Sequence, residues 1–213
     1  MSRKEVTLKL KKLDDRAVIP TYAHVDDDGK NEGDIGMDMI AISAEWDEKM
    51  DCYIYHTGLA METAKGFGTF LFPRSSNRKT DCYLANSVGL IDTTLYRGEL
   101  IWCFKSRTST YQRAETIGMK AYMESILKSL KNPFNLFRIK KVLNKAMKNY
   151  EEAKERVIEM TRNLEFAPYE VGKKIGQMVV LPYPDVNIQI ASELSETSRG
   201  TGAFGSTDKK IKK

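Results

Sequence analysis

Histidine and cysteine are scarce in this chain of 213 residues, and no apolar run reaches the length of a membrane span. The two histidines, His24 and His56, argue against a histidine-rich metal centre. The three cysteines, Cys52, Cys82 and Cys103, are odd in number and far apart, without the paired spacing of a zinc site. That sparse set fits reduced thiols rather than a disulfide framework. The opening "MSRKEVTLKLKK" has no apolar signal-peptide core, so the expectation is a cytoplasmic protein, in host cytoplasm if the gene is viral, with no membrane association. Nor does any Cys/His or Ser/His arrangement suggest a covalent nucleophile.

What is present is ordinary for a globule: 41% hydrophobic and 30% charged residues, enough for one good core. The net charge of +5 suits anionic small molecules or weak nucleic-acid contact equally well and does not by itself support DNA binding; a nucleic-acid partner is not expected. From Val6 to Phe104 the text is strand-like. "VTLKLKKL" alternates, "MIAISA" and "DCYIYHTGLAM" are β-rich, and Gly, Pro, Asp and Asn punctuate at short intervals. Such short, closely spaced strands predict a mainly β jelly roll or barrel.

Residues 106–163 read differently. Ile139, Val142/Leu143, Ala146, Tyr150, Ala153, Val157, Met160 and Leu164 recur at three-four spacing, a helical stripe among Lys, Arg and Glu. "AETIGMKAYMESILKSLK" precedes it, and Asn132-Pro133 separates the two. The reading is a helical hairpin inserted into a β-domain of residues 1–105 and 164–198, whose strand-and-turn text resumes with "LEFAPYEVGKKIGQMVVLPYPDVNIQIA". The simplest role for the hairpin is to pack its stripe on its own first helix; the alternative is a docking surface for a partner. Residues 199–213, opening with "RGTGAFGSTDKK", form a glycine-rich tail with no apolar period.

Five stretches carry the chemistry, in this order: "GDIGMDMIA" (33–41), "FPRSSN" (72–77), "NSVGLIDTTLYRGEL" (86–100), "VGKKIGQMVV" (171–180) and the tail. Each alone has a bland explanation. An Asp in a turn forms the turn, "GLID" is strand, "PRSS" is loop. In this order they resemble the five motifs of the trimeric deoxyuridine triphosphatase (dUTPase) family, over 6–105 and 166–207, skipping the helical block. Some phage-encoded members carry an insertion at this point that contacts a regulatory protein.

The resemblance implies a magnesium-dependent hydrolysis of dUTP to dUMP and pyrophosphate, in a homotrimer with shared sites. A triphosphate calls for guanidinium, hydroxyl and backbone N–H donors. The match assigns these to Arg74, Ser75, Ser76 and Gln177, with Arg199 on the γ-phosphate and Gly205 and Ser206 wrapping the phosphate chain. Phe204 would stack on uracil as the tail closes like a lid. Base selection falls to a β-hairpin at 86–100, through the backbone of Gly89, Leu90 and Ile91 with Asn86. Tyr96 would pack against deoxyribose and exclude a 2′-hydroxyl. Asp92 matches the catalytic aspartate that orients and partly deprotonates the attacking water, with Gln177 as its phosphate-side companion. Mg²⁺ would bridge phosphate oxygens. Asp38 matches a carboxylate that acts through water on the metal or beside the site's arginine.

The chain departs from the family pattern in places. Three residues, Thr93, Thr94 and Leu95, separate Asp92 from Tyr96 where two are usual, an excess a bulge can absorb. Ala203 stands where the tail commonly has glycine. Two further readings remain open: a dCTP deaminase-like enzyme, and a dUTP-binding regulatory protein that holds a partner through residues 106–163.

Overall fold

The computed structural model of the chain describes residues 5–91, 95–132, 138–198 and 200–201. It folds into two antiparallel sheets facing one another, with a helical hairpin between the eighth and ninth strands. The strands are β1 (Leu8–Lys12), β2 (Met37–Ile40), β3 (Ser43–Asp47), β4 (Cys52–Thr63), β5 (Phe67–Pro73), β6 (Cys82–Leu84), β7 (Gly89–Ile91), β8 (Glu99–Ser106) and β9 (Lys174–Pro182). The helices are α1 (Thr110–Leu130) and α2 (Ile139–Arg162).

The first sheet is organised by β4, which is long enough to take β3 along Cys52–His56 and β1 along Leu59–Thr63 on one side. On the other side it pairs with β8, which in turn pairs β6. Between the two halves of β4 the chain bulges at Gly58, whose φ is +66°. The Glu99 carboxylate fills that bulge, accepting from the Gly58 amide at 2.6 Å and contacting His56 Nδ1 at 2.9 Å. β1 alternates as the sequence reads: Leu8 and Leu10 are half-buried while Lys9 and Lys11 face water. The second sheet has the order β2-β9-β5-β7.

Between the sheets lies a core of Met39, Tyr55, Leu59, Leu100, Trp102, Phe104, Ile175 and Met178, each almost wholly excluded from solvent. Tyr55, Phe104 and Tyr169 meet edge to face, with centroids 5.4–6.3 Å apart. The Trp102 indole crosses the gap, donating from Nε1 to the Phe72 carbonyl at 3.3 Å.

α1 starts in a capping box. Ser109 Oγ accepts from the Gln112 amide at 3.2 Å, and the Gln112 side chain accepts from the Ser109 amide at 3.4 Å. Such a cap contributes on the order of 1 kcal/mol. The helices pack on small residues: Gly118 leaves room for the Tyr150 ring, where an added Cβ would lie 2.8 Å from Cδ2. Beside it Glu115 accepts from Tyr150 at 2.5 Å and pairs with Lys154 at 2.6 Å. The base of the hairpin is tied to the turns before β4 and β6 by Thr110 to Asp51, Arg113 to Asp81 and Arg162 to Glu48. All three cysteines are free thiols. Among the described residues no helix is long and apolar enough to cross a membrane.

The chain divides into two compact units, Met1–Tyr183 and Pro184–Lys213. Among the described residues of the second there is no helix or strand, and Val186, Ile188 and Ile190 are all exposed.

Candidate active site

Four of the five stretches singled out above fall on the second sheet or at its strand ends. Asp38 lies on β2, Gln177 on β9, Arg74 directly after β5, and Gly89–Ile91 form β7. The ladder makes them neighbours: Asp38 is opposite Gln177, Gln177 is opposite Phe72, and Leu71 is opposite Gly89. Segments 139 positions apart in sequence therefore touch side by side.

Asp38 is the hub. Its side chain is only 9% exposed, yet it receives three donors. Lys174 Nζ reaches Oδ2 at 2.7 Å, Arg74 Nε approaches Oδ1 at 3.4 Å, and Gln177 Nε2 lies 3.5 Å from Oδ1. Arg74 also donates to the Lys174 carbonyl at 3.4 Å. Two cations sharing one carboxylate leave a net positive charge at this end of the sheet, the sign a phosphate chain requires.

Lys174 went unassigned in the sequence, because residues three apart on a regular strand face opposite ways. A register shift explains the outcome. Met39 pairs Gly176 but Ile40 pairs Lys174, so β9 carries an extra residue there and the facing of Lys174 relative to Gln177 is reset. No local signal in "VGKKIGQMVV" marks that bulge.

After Arg74 the chain turns through a 3-10 segment, Ser75–Lys79. Ser75 is exposed. Ser76 Oγ is buried close to the Tyr169 hydroxyl and makes no hydrogen bond of good geometry among the described residues. Below the turn Tyr169 donates to Asn77 Oδ1 at 3.1 Å, and Asn77 in turn donates to the Cys82 carbonyl at 3.0 Å. Burial pushes the Tyr169 hydroxyl above its ordinary pKa, keeping it a neutral donor. Tyr169 was likewise missed, since nothing in "APYEVG" separates it from a loop tyrosine.

The stretch 86–100 departs from the hairpin expected of it. β7 pairs with β5 in the second sheet, whereas β8 pairs with β4 and β6 in the first. Its two arms thus belong to different sheets. Gly89 permits the pairing with β5: an added Cβ would stand 2.9 Å from Leu71 Cβ, so a side chain there would force the two strands apart. Leu90 is exposed and Ile91 half-buried. Asn86 is exposed in the turn between β6 and β7. Tyr96 folds back on its own turn, donating to the Glu99 carbonyl at 3.0 Å over Gly98, where any Cβ would meet its ring.

Asp92, Arg199, Phe204, Gly205 and Ser206 lie outside the described residues, as do Thr93 and Thr94. Among the described residues no group of three His, Cys, Asp or Glu side chains could by itself hold a metal ion.

No protein-family profile matches the chain. Its fold is that of the dUTPase jelly roll: it superposes on the Staphylococcus bacteriophage 80alpha dUTPase bound to dUpNHpp with a TM-score of 0.56 and 19% identity, over 94% of this chain and 98% of that one. Another structure of the 80alpha enzyme with the same nucleotide matches at TM-score 0.54, and is described with phage dUTPases that control transfer of virulence genes by a proto-oncogenic G protein-like mechanism. In sequence the likeness runs nearly end to end. The chain is 27% identical over 203 residues to the deoxyuridine 5′-triphosphate nucleotidohydrolase of Clostridium acetobutylicum, covering 95% of this chain and 97% of the relative. It is 28% identical over 201 residues to that of Clostridioides difficile, covering 94% and 96%. Along nearly its whole length the chain is similar in sequence to dUTPases, and it shares their fold.

Proposed function

We propose that this protein hydrolyses dUTP to dUMP and pyrophosphate. The observation that carries the reading is the convergence of Asp38, Gln177 and Arg74, two on adjacent strands of one sheet and the third just past the end of the next, at the start of the turn that holds Ser75 and Ser76. Arg74, Ser75, Ser76 and Gln177 bind and orient the phosphates. The amides of Gly89, Leu90 and Ile91, with Asn86, read the uracil edge; a cytosine would leave buried groups unpaired. Tyr96 packs on the sugar and rejects a 2′-hydroxyl. Asp92 accepts the proton of a water whose oxygen bonds to the α-phosphorus as the bond to the bridging oxygen breaks and pyrophosphate departs.

The residues present suit a metal that arrives with its substrate. Mg²⁺ commonly keeps several waters and is held by substrate phosphates rather than by an all-protein cage. Such an ion supplies charge neutralisation on the phosphate oxygens. Asp38, already engaged by Lys174 and Arg74, fits an anchor of the phosphate-binding arginine that reaches the ion only through water.

In this reading the enzyme works in the cytoplasm as a homotrimer. The tail from Arg199, with Phe204, Gly205 and Ser206, closes over a neighbouring subunit's pocket, separate from the β-core and from the helical insertion of residues 106–163. Pyrophosphate release tests the assignment: Asp92→Asn should abolish turnover and leave dUpNHpp binding intact, and full activity in that variant would refute Asp92 as the base. Ammonia released from dCTP would instead favour a deaminase.

A second reading, compatible with turnover, has the helical insertion hold a regulatory protein. Between Glu124 and Glu151 the sequence contains seven Lys or Arg and no Asp or Glu. In the same stretch Leu127, Leu130, Ile139, Leu143 and Met147 are exposed. That mixture suits an acidic protein surface with apolar side chains. Replacing 106–163 by a short linker should retain hydrolysis and lose the partner; collapse of the assembly would contradict a modular insertion.

A further inference from the structure

Among the described residues, Trp102 is a large side chain that links the first sheet to the ladder carrying Arg74 and Gln177 by a hydrogen bond. It is 1% exposed, it sits on β8, and its Nε1 donates across the core to the Phe72 carbonyl, two residues before Arg74. Its ring occupies the place of a missing side chain. A Cβ on Gly176 would overlap Nε1 and lie 2.6 Å from Cε2 and 2.8 Å from Cδ1. Gly176 is flanked in the ladder by Met39 and Pro73, and its neighbour Gln177 by Asp38 and Phe72. The indole therefore lies directly beneath the junction at which all three elements of the phosphate cluster meet. Toward Arg74, β7 pairs β5 only as far as Leu71, so Phe72 and Pro73 lie beyond that flanking strand.

We infer that Trp102 is a positioning residue for the phosphate turn: its indole N–H fixes the end of β5, and so sets Arg74, Ser75 and Ser76 against Asp38 and Gln177. This rests on the dUTP reading above. The glycine at 176 is the complementary half of the device, because any larger residue would push the ring off the Phe72 carbonyl. Packing alone would explain a buried tryptophan. It does not require a donor aimed at the strand that carries the phosphate arginine, and the two accounts separate experimentally.

Trp102→Phe removes the N–H and keeps an aromatic ring. Trp102→Phe with Gly176→Ala refills the space left by the lost pyrrole portion, but restores no donor. Titration calorimetry on the full chain would give the Kd of dUpNHpp and of deoxyuridine, which lacks phosphates, and their ratio cancels any inactive fraction. Trp102→Phe should weaken dUpNHpp about tenfold and deoxyuridine less than twofold. The double variant should recover the melting temperature of the parent while its dUpNHpp affinity stays low. An unchanged ratio in Trp102→Phe, or affinity recovered along with stability in the double variant, overturns the inference and leaves the dUTP assignment standing. A parent protein that binds neither ligand overturns both.

Discussion

Replacing Asp38 by Asn tests the charge cluster at the centre of the site with the least steric change. The amide keeps the volume and one acceptor for Lys174, and removes the negative charge that two cations share. Opposite unit charges about 4 Å apart interact by about 1 kcal/mol in water and about 4 kcal/mol at an effective dielectric of roughly 20. Asp38 is nearly buried, but Lys174 is 45% and Arg74 31% exposed, so solvent screens much of the attraction. The expected loss is roughly 1–2 kcal/mol of stability. For a chain of this size each kcal/mol lowers Tm by about 2–4 °C, so scanning calorimetry should show a fall of about 2–8 °C. With Arg74 no longer held, kcat/KM for dUTP should drop about tenfold, equivalent to about 1.4 kcal/mol. The two readouts belong together. Unchanged Tm and unchanged kcat/KM would show that the contacts of Asp38 hold nothing in place, and the cluster would lose its role.

Further outcomes follow from burial and charge elsewhere. Burial pushes the Cys52 thiol up to about 11 and raises Cys82 and Cys103 as well, so at pH 8 all three should react slowly with a disulfide reagent and rapidly in denaturant; fast stoichiometric labelling of the native protein would refute that. Hydrogen bonds from Lys154 and then Tyr150 hold Glu115 below its ordinary 4.5. A depressed folded value means its support of the hairpin is complete above about 4.5 and lost as pH falls through the folded value. Helicity should therefore decline more steeply below that point in the parent than in Glu115→Gln, and identical acid profiles would contradict it. Removal of residues 199–213 should reduce turnover sharply with little change in Tm; undiminished turnover would argue against the lid.

The strands and helices were legible in the sequence because their burial follows simple periods. Leu8 and Leu10 alternate with lysines as an edge strand should, and Ala146 and Val157 on the predicted stripe are buried. The same stripe overreached at its start, where Ile139 and Leu143 remain exposed. What could not be read were features created by register. Lys174 reaches Asp38 through a bulge in β9, and β7 pairs β5 rather than β8, where Gly89 permits a close approach to Leu71. The Trp102–Gly176 fit joins positions on two sheets, a size match that neither local sequence contains. In the dUTP reading the ordered polar motifs stand out for the opposite reason: a base and a phosphate chain would dictate their residue types, whatever the backbone does between them.

The central claim is a site shaped for a uracil deoxynucleotide triphosphate, and pyrophosphate release from dUTP, dCTP, dTTP and UTP in parallel tests it most directly. Release from dUTP alone, dependent on magnesium, is the expected result. Comparable release from dTTP or UTP, or none from dUTP, would contradict it.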